Sequence, residues 1–189
     1  MTKLNESFTA IDFETANYQS NSACQLGIVV VSNGQIIMQQ SWFIRPPTKI
    51  FTFSYLHGIT YPMVKDQPTF GDIWPQVKPY VTGEIIAAHN ADFDLGVLTA
   101  TLAHHQLYVP EFYVIDSLAV ARKTWPDLKN HKLSTVAAHL NIELNHHEAA
   151  SDAKACAEII LHAGQENVEI NRVINRSMPE SMDLFGGDY

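Results

Sequence analysis

Apolar positions in the first third of the chain come in short, β-branched runs. Phe8-Thr9-Ala10-Ile11-Asp12-Phe13 predicts a first strand. Residues 26–31 are almost wholly apolar, the pattern of a strand buried on both faces. Ser32-Asn33-Gly34 follows, and Asn-Gly is the strongest short hairpin signal, so residues 36–44 read as a returning third strand. Arg45-Pro46-Pro47 ends it. A long connection then runs to about Gln67, with His57-Gly58-Ile59-Thr60 near its middle; long loops in compact domains are often functional. Beyond it the period changes. Residues 70–81 predict a helix, with Pro75 in its first turn or as a kink, and residues 84–88 a short buried strand. Residues 92–105 carry Phe93, Val97, Leu98, Thr101 and Leu102 at helical spacing, and residues 112–115 form a fifth strand. Short helices are expected over 116–123 and 133–140, and an alanine-rich one over 148–163. A hairpin group followed by alternating strands and helices is the order of an α/β fold on a mixed sheet. After Val173 the chain turns polar and Pro-broken, so the domain is expected to span 1–174 and residues 175–189 to form a flexible tail.

Composition narrows the function classes. With 46% hydrophobic residues, 189 residues can bury a full core. Only 17% are charged, against roughly 25% in ordinary domains, which excludes long-range disorder and a coiled coil. The net charge of −8 excludes a cationic protein that coats DNA without sequence preference. It leaves open an enzyme whose acids hold cations. Cys24 and Cys156 are far apart and in no CxxC pair, so they are read as core residues. Residues 1–6 lack the apolar core of a signal peptide, and no apolar run approaches the roughly 20 residues that cross a bilayer. A cytoplasmic protein with no membrane partner is expected.

The candidate chemistry lies in carboxylates at element ends. Asp12 and Glu14 are two apart on a strand and share a face, while Ile11 and Phe13 point the other way. Two carboxylates about 4 Å apart repel by roughly 4 kcal/mol at an effective dielectric near 20, a cost that a bound cation removes. His89-Asn90-Ala91-Asp92-Phe93-Asp94 follows another apolar strand, where ligand sites of α/β sheets form. Asp92 and Asp94 are also read as helix caps. His147 opens the alanine-rich helix and Asp152 lies inside it; small residues around Asp152 let that helix approach the first strand. Oxygen donors suit Mg²⁺ or Mn²⁺ rather than zinc. The pairs His104-His105 and His146-His147 argue no zinc site, because neighbours on a helix do not face one another. Two metals and a histidine base are an arrangement for in-line phosphodiester hydrolysis.

Three motifs, Ile11-Asp12-Phe13-Glu14-Thr15, His89-Asn90-Ala91-Asp92-Phe93-Asp94 and His147-Glu148-Ala149-Ala150-Ser151-Asp152, stand in this order along the chain. In them the chain resembles the DnaQ-like, or DEDDh, 3′–5′ exonucleases, a family that includes the proofreading epsilon subunit of bacterial DNA polymerase III. The resemblance covers residues 7 to 165. It implies a ribonuclease H-like fold, a five-stranded mixed sheet flanked by helices. It implies that Asp12, Glu14, Asp94 and Asp152 hold two Mg²⁺ or Mn²⁺ ions, and that His147 is the general base. Asp92 falls at a variable position. Thr15 stands where the family often contacts the terminal nucleotide. Phe13, His57 and Asn90 are further candidates for substrate binding, each with a structural alternative: core packing for Phe13, a turn for His57 and Asn90. Arg122, Lys123, Lys129, His131 and Lys132 either track phosphates or form a solvated face.

In the tail, Ser181-Met182-Asp183-Leu184-Phe185 resembles the bacterial sliding-clamp-binding pentapeptide Gln-Leu-Asp/Ser-Leu-Phe. Met182, Asp183, Leu184 and Phe185 are the candidate clamp contacts, and Ser181 departs from the Gln. The alternative is an end that folds back on its own domain. The expected substrate is a DNA 3′ end, single-stranded or frayed, and the expected product a 5′-mononucleotide, with a DNA polymerase as partner if the enzyme proofreads. The alternatives are an RNA-directed exonuclease of the RNase T or oligoribonuclease type, and a non-catalytic clamp-associated adaptor.

Overall fold

The computed structural model describes residues 7–82, 84–165 and 173–175. The first three strands are β1 (Phe8–Thr15), β2 (Ala23–Ser32) and β3 (Gln35–Phe43). They form the expected antiparallel meander. Asn33 and Gly34 both have positive φ, 51° and 77°, as the tight turn between twisted strands requires. Almost every position of β2 is buried, whereas β3 alternates and leaves one face in water, as suits an edge strand.

The connection after β3 is not structureless. It holds two single-turn helices, α1 (Ser54–His57) and α2 (Tyr61–Val64). The helix expected over 70–81 divides into α3 (Phe70–Val77) and a 3₁₀ turn at Lys78–Tyr80. Thr69 caps α3 by a reciprocal pair of bonds with Asp72. Then follow β4 (Ile85–Ala88), α4 (Ala91–His104), β5 (Phe112–Asp116), α5 (Ser117–Thr124), α6 (Leu133–Leu140) and α7 (Ala149–Gln165). A short strand that the sequence pattern does not announce, β6 (Val173–Asn175), pairs antiparallel with β5. It straddles the expected domain end at residue 174. Residues 182–185 of the candidate clamp motif lie outside the described residues.

The sheet order is β3-β2-β1-β4-β5-β6. Strands β1, β4 and β5 are parallel, so their carboxyl ends share one edge. One face of the sheet packs Ile11, Phe13, Leu26 and Ile28 against Phe70, Trp74, Leu98 and Leu102 of α3 and α4. The other packs Ala10, Val29 and Ala87 against Ala153, Cys156, Ala157 and Ile160 of α7. Alternation along β1 therefore sends Ile11 and Phe13 into the first core, and Ala10, Asp12 and Glu14 toward α7. Cys24 and Cys156 are free and buried, and burial pushes both thiols well up. Among the described residues no helix is long and apolar enough to cross a membrane.

Candidate active site

The site forms where β4 stops. Its last residue is Ala88, whereas β1 continues to Thr15 and pairs with β4 only at Thr9 and Ala10. The Phe13 N–H thus lies beyond the end of its neighbour strand. Asp94, on the first turn of α4, takes it instead: Oδ1 accepts from Phe13 N at 2.9 Å. The turn into α4 is fixed by Asn90, which holds φ at 71°, a conformation asparagine tolerates better than most residues. Asp116 at the end of β5 accepts from the backbone N–H of both Asn90 and Leu118, each at 2.9 Å, and so ties this turn to α5. His89 is locked as well. A carbonyl can only accept, so Nε2 donates to His131 O at 2.9 Å and Nδ1 accepts from the Ser117 hydroxyl at 2.8 Å. Burial lowers the His89 pKa and favours that neutral form.

Helix α7 brings the fourth carboxylate. Gly27 of β2 lies opposite Asp12 in the strand register. A Cβ at Gly27 would stand 2.1 Å from the carbonyl oxygen of Ala149, so the helix start rests directly on the strand backbone. Gln25 and Gln39 hold it there: the Ala149 N–H donates to Gln25 Oε1 at 3.4 Å, and Gln39 Nε2 donates to Ala150 O at 3.1 Å. Glu148 accepts from the N–H of Ser151 at 2.9 Å and serves as the helix cap. Replacing Gly27 by Ala should therefore destabilise the protein by about 3 kcal/mol, the upper end of overpacking costs. It should also lower activity about 100-fold by moving Asp152. Thermal melts and initial rates check both.

Asp12, Glu14 and Asp152 each place one oxygen such that all lie within 4.8 Å of one another. A charged pair at that separation costs about 3 kcal/mol at an effective dielectric near 20. Burial and, for Asp12, Glu14 and Asp94, this repulsion shift the acids toward their protonated forms. Burial, then the charges of Asp94, Asp152 and Glu14, pushes Asp12 well above the carboxylate range. Burial first, and then Asp152 and Asp94, pushes Glu14 up to about 8. Burial lifts Asp94 to about 7 against the opposing bond from Phe13. Asp152 is raised by burial, with His146 and the His147 N–H pulling the other way. Its Oδ1 is buried and has no hydrogen-bond partner. Oxygen donors that converge, repel and include an unsatisfied buried atom fit a hard divalent cation.

His147 precedes α7 with φ of 69°, and its Nδ1 stands 3.9 Å from Glu14 Oε1. Desolvation and the neighbouring His146 lower its pKa, so the ring is a proton acceptor at neutral pH. His146 and His147 are not on a helix, contrary to the expectation. Their rings stack with centroids 3.9 Å apart and planes 15° from parallel. The positive φ of His147 turns the chain so that the two rings overlap.

Other expected residues divide. Thr15 lines the cleft, about 700 Å³ in volume, together with Asn90, Phe53, Leu56 and Phe93. Phe93 is a residue that sequence reasoning passed over; it occupies a core-like position in the helical pattern yet is 49% exposed. Phe13 instead is buried, its ring 6.1 Å from that of Phe70, and its contribution to the site is its backbone N–H. His57 has both ring nitrogens bound within the fold. Ile59 N–H donates to Nδ1 at 3.0 Å, and Nε2 bonds Thr15 O at 3.1 Å. It pins the turn after α1 to the end of β1. Asp92 is exposed and is not the N-cap, a position Asn90 fills. Arg122, His131 and Lys132 also line the cleft; Lys123 and Lys129 are not among its lining residues.

Residues 9–160 match the sequence profile of the Exonuclease family, RNase_T. The chain belongs to this exonuclease family. The exonuclease-family resemblance read from the three motifs agrees with this match. A PolC-type DNA polymerase III from Clostridium perfringens is 37% identical over 161 residues, 82% of this chain but 11% of the polymerase. The PolC-type enzyme of Bacillus subtilis is 31% identical over 187 residues, 93% of this chain and 13% of that protein. The chain thus spans little more than a tenth of these relatives. Among solved structures, Exonuclease X in complex with 5′ overhanging duplex DNA is similar at a TM-score of 0.65 and 26% identity, covering 85% of this chain and 91% of that one. The nuclease domain of 3′hExo, a DEDDh family member bound to rAMP, shares the fold at a TM-score of 0.72 and 19% identity, covering 92% of this chain and 98% of that one.

Proposed function

We propose that the protein is a two-metal 3′–5′ exonuclease that removes 5′-mononucleotides from single-stranded or frayed 3′ ends of DNA. The observation that carries this reading is the convergence of the Asp12, Glu14 and Asp152 oxygens in a cleft, with Asp94 of α4 bonded to the Phe13 N–H between the two β1 acids. These four carboxylates would hold Mg²⁺ or Mn²⁺. Bound there, the ions would supply Lewis acidity to the attacking water and neutralise charge at the leaving 3′ oxygen. His147 takes the proton of that water. Its ring lines the cleft beside Glu14. Phe93, Phe53 and Leu56 offer apolar surface on which the terminal bases stack, and Arg122 and Lys132 offer cations to phosphates behind them. This local arrangement reconciles a net charge of −8 with a polyanionic substrate.

DNA is favoured over RNA because the PolC-type relatives are DNA polymerases and Exonuclease X was solved on duplex DNA. A polymerase, as partner or as the remainder of a longer chain, is the accompanying proposal; contact with a sliding clamp rests on the sequence of residues 181–185 alone. The reading is tested on 5′-labelled single-stranded DNA and matched RNA with Mg²⁺, Mn²⁺ or EDTA. A metal-dependent ladder shortening from the 3′ end, faster on DNA, is expected. Faster shortening of RNA would move the enzyme to the ribonuclease class, and no cleavage in any metal would leave the adaptor reading. His147→Ala should lower kcat by 10²–10⁴-fold, the usual range for a general base, while the metal affinity stays close to wild type. Single-turnover rates and metal titration separate the two quantities.

A further inference from the structure

His146 is exposed, lies outside the three motifs' acid and base positions, and yet touches two members of the site. Its Nδ1 is 2.8 Å from Oδ2 of Asp152, and its ring stacks on that of His147. The same Oδ2 accepts a second bond, from the backbone N–H of His147 at 3.1 Å. An ionised carboxylate oxygen has two in-plane acceptor sites, and both are filled on Oδ2. Oδ1, buried and without a hydrogen-bond partner, is then the oxygen with lone pairs to give. We infer that His146 is a positioning residue: its Nδ1–H, with the His147 N–H, fixes the Asp152 carboxylate so that Oδ1 faces the metal.

The bond exists in the Nδ1–H tautomer and in the imidazolium alike, so the role requires no change of charge. Direct ligation by both histidines is disfavoured by the geometry. Imidazole lone pairs lie in the ring plane, and two rings 3.9 Å apart and 15° from parallel do not aim at one ion. A hydrogen bond to a ligating carboxylate sets its orientation, and loss of such a partner typically costs 10–100-fold in metal affinity. The sequence signal was the His-His pair itself. Helical geometry, which would keep the two rings apart, does not apply before residue 149.

This inference rests on the metal-centre reading above, and the test separates the two. Mn²⁺ binding is measured by calorimetry on the full chain for wild type, His146→Ala and His146→Asn, with circular dichroism to establish folding. Asparagine Nδ2 stands where histidine Nδ1 does and can donate the same bond. His146→Ala is expected to bind Mn²⁺ at least 10-fold more weakly, with kcat at saturating metal changed far less than KM for metal. His146→Asn should recover affinity to within about 3-fold of wild type. Wild-type affinity in His146→Ala, or an Asn variant as weak as the Ala one, would overturn the inference and leave the metal centre standing. Absence of Mn²⁺ binding by the wild type would overturn both.

Discussion

Asp12→Asn should abolish exonuclease activity and at the same time raise the melting temperature of the metal-free protein. The two effects have one cause. Asp12 is desolvated and faces the charges of Asp94, Asp152 and Glu14, so without a cation its pKa is raised well above the carboxylate range and its charge is costly to place. Asparagine has the same shape and no charge to place there. Removing the repulsion should stabilise the metal-free fold by about 1–3 kcal/mol, the range seen when a strained functional charge is neutralised. At roughly 2–4 °C per kcal/mol for a chain of this size, the shift is readily measured. The same change removes a donor from the centre that offsets charge on the reacting phosphate. Such electrostatic stabilisation is worth several kcal/mol, or about 10³-fold in rate. Differential scanning calorimetry in EDTA and a single-turnover assay in Mn²⁺ read the two sides. An Asp12→Asn protein that cleaves at near wild-type rate, or that melts lower than wild type in EDTA, is incompatible with this account.

The second large effect is the dependence of metal stabilisation on pH. Glu14 is held at about 8 and Asp94 at about 7, and Asp12 is raised as well. In the unfolded chain these groups titrate near 4. Between those values the folded protein binds more protons than the unfolded one, so its stability falls as pH rises; the contribution is complete below pH 4 and is lost through pH 7 to 8. His57, His89, His105 and His147 act oppositely, since burial lowers each of them, but that effect fades by about pH 7.5 and is worth at most about 0.4 kcal/mol per histidine above pH 6.5. In the window from 6.5 to 8.5 the carboxylates therefore dominate. The EDTA-treated protein should lose about 2–3 kcal/mol across it, a fall of roughly 5–10 °C in Tm. Millimolar Mn²⁺ or Mg²⁺ should flatten that fall, because the cation binds the ionised acids and its stabilising effect grows as they ionise. A Tm in EDTA that stays level or rises from pH 6.5 to 8.5 would show that the acids are not crowded as described.

Much of this was legible in the chain. The β2–β3 hairpin could be read because Asn33-Gly34 permits only a narrow set of turns, and β1 and β2 because their apolar runs are short and β-branched. The pairing of Asp12 with Glu14 on one face follows from the period of a strand. Other features depend on contacts that no local pattern encodes. β6 is three residues long and exists by pairing with β5. Helices α1 and α2 are single turns of four residues, too short to show a helical period. The 3₁₀ turn after Val77 begins where Pro79 removes a backbone donor. At the site, the carboxylates and His147 were named from motif spacing, whereas the parts that orient them were not. Gly27 reads as an ordinary strand glycine until α7 is seen to rest on it. Asp116 and His89 act through bonds to backbone groups 26 and 42 residues away. The place of His146 depends on the left-handed conformation of His147, which no local pattern announces.

The central claim is that Asp12, Glu14, Asp94 and Asp152 form one divalent-metal centre. Anomalous diffraction from crystals equilibrated with Mn²⁺ and a nucleoside 5′-monophosphate tests it most directly. The account predicts anomalous peaks in contact with the carboxylates of Asp12, Glu14 and Asp152, a further contact from Asp94, and the nucleotide phosphate on the open side. Fully occupied Mn²⁺ elsewhere, with none between these carboxylates, would contradict it.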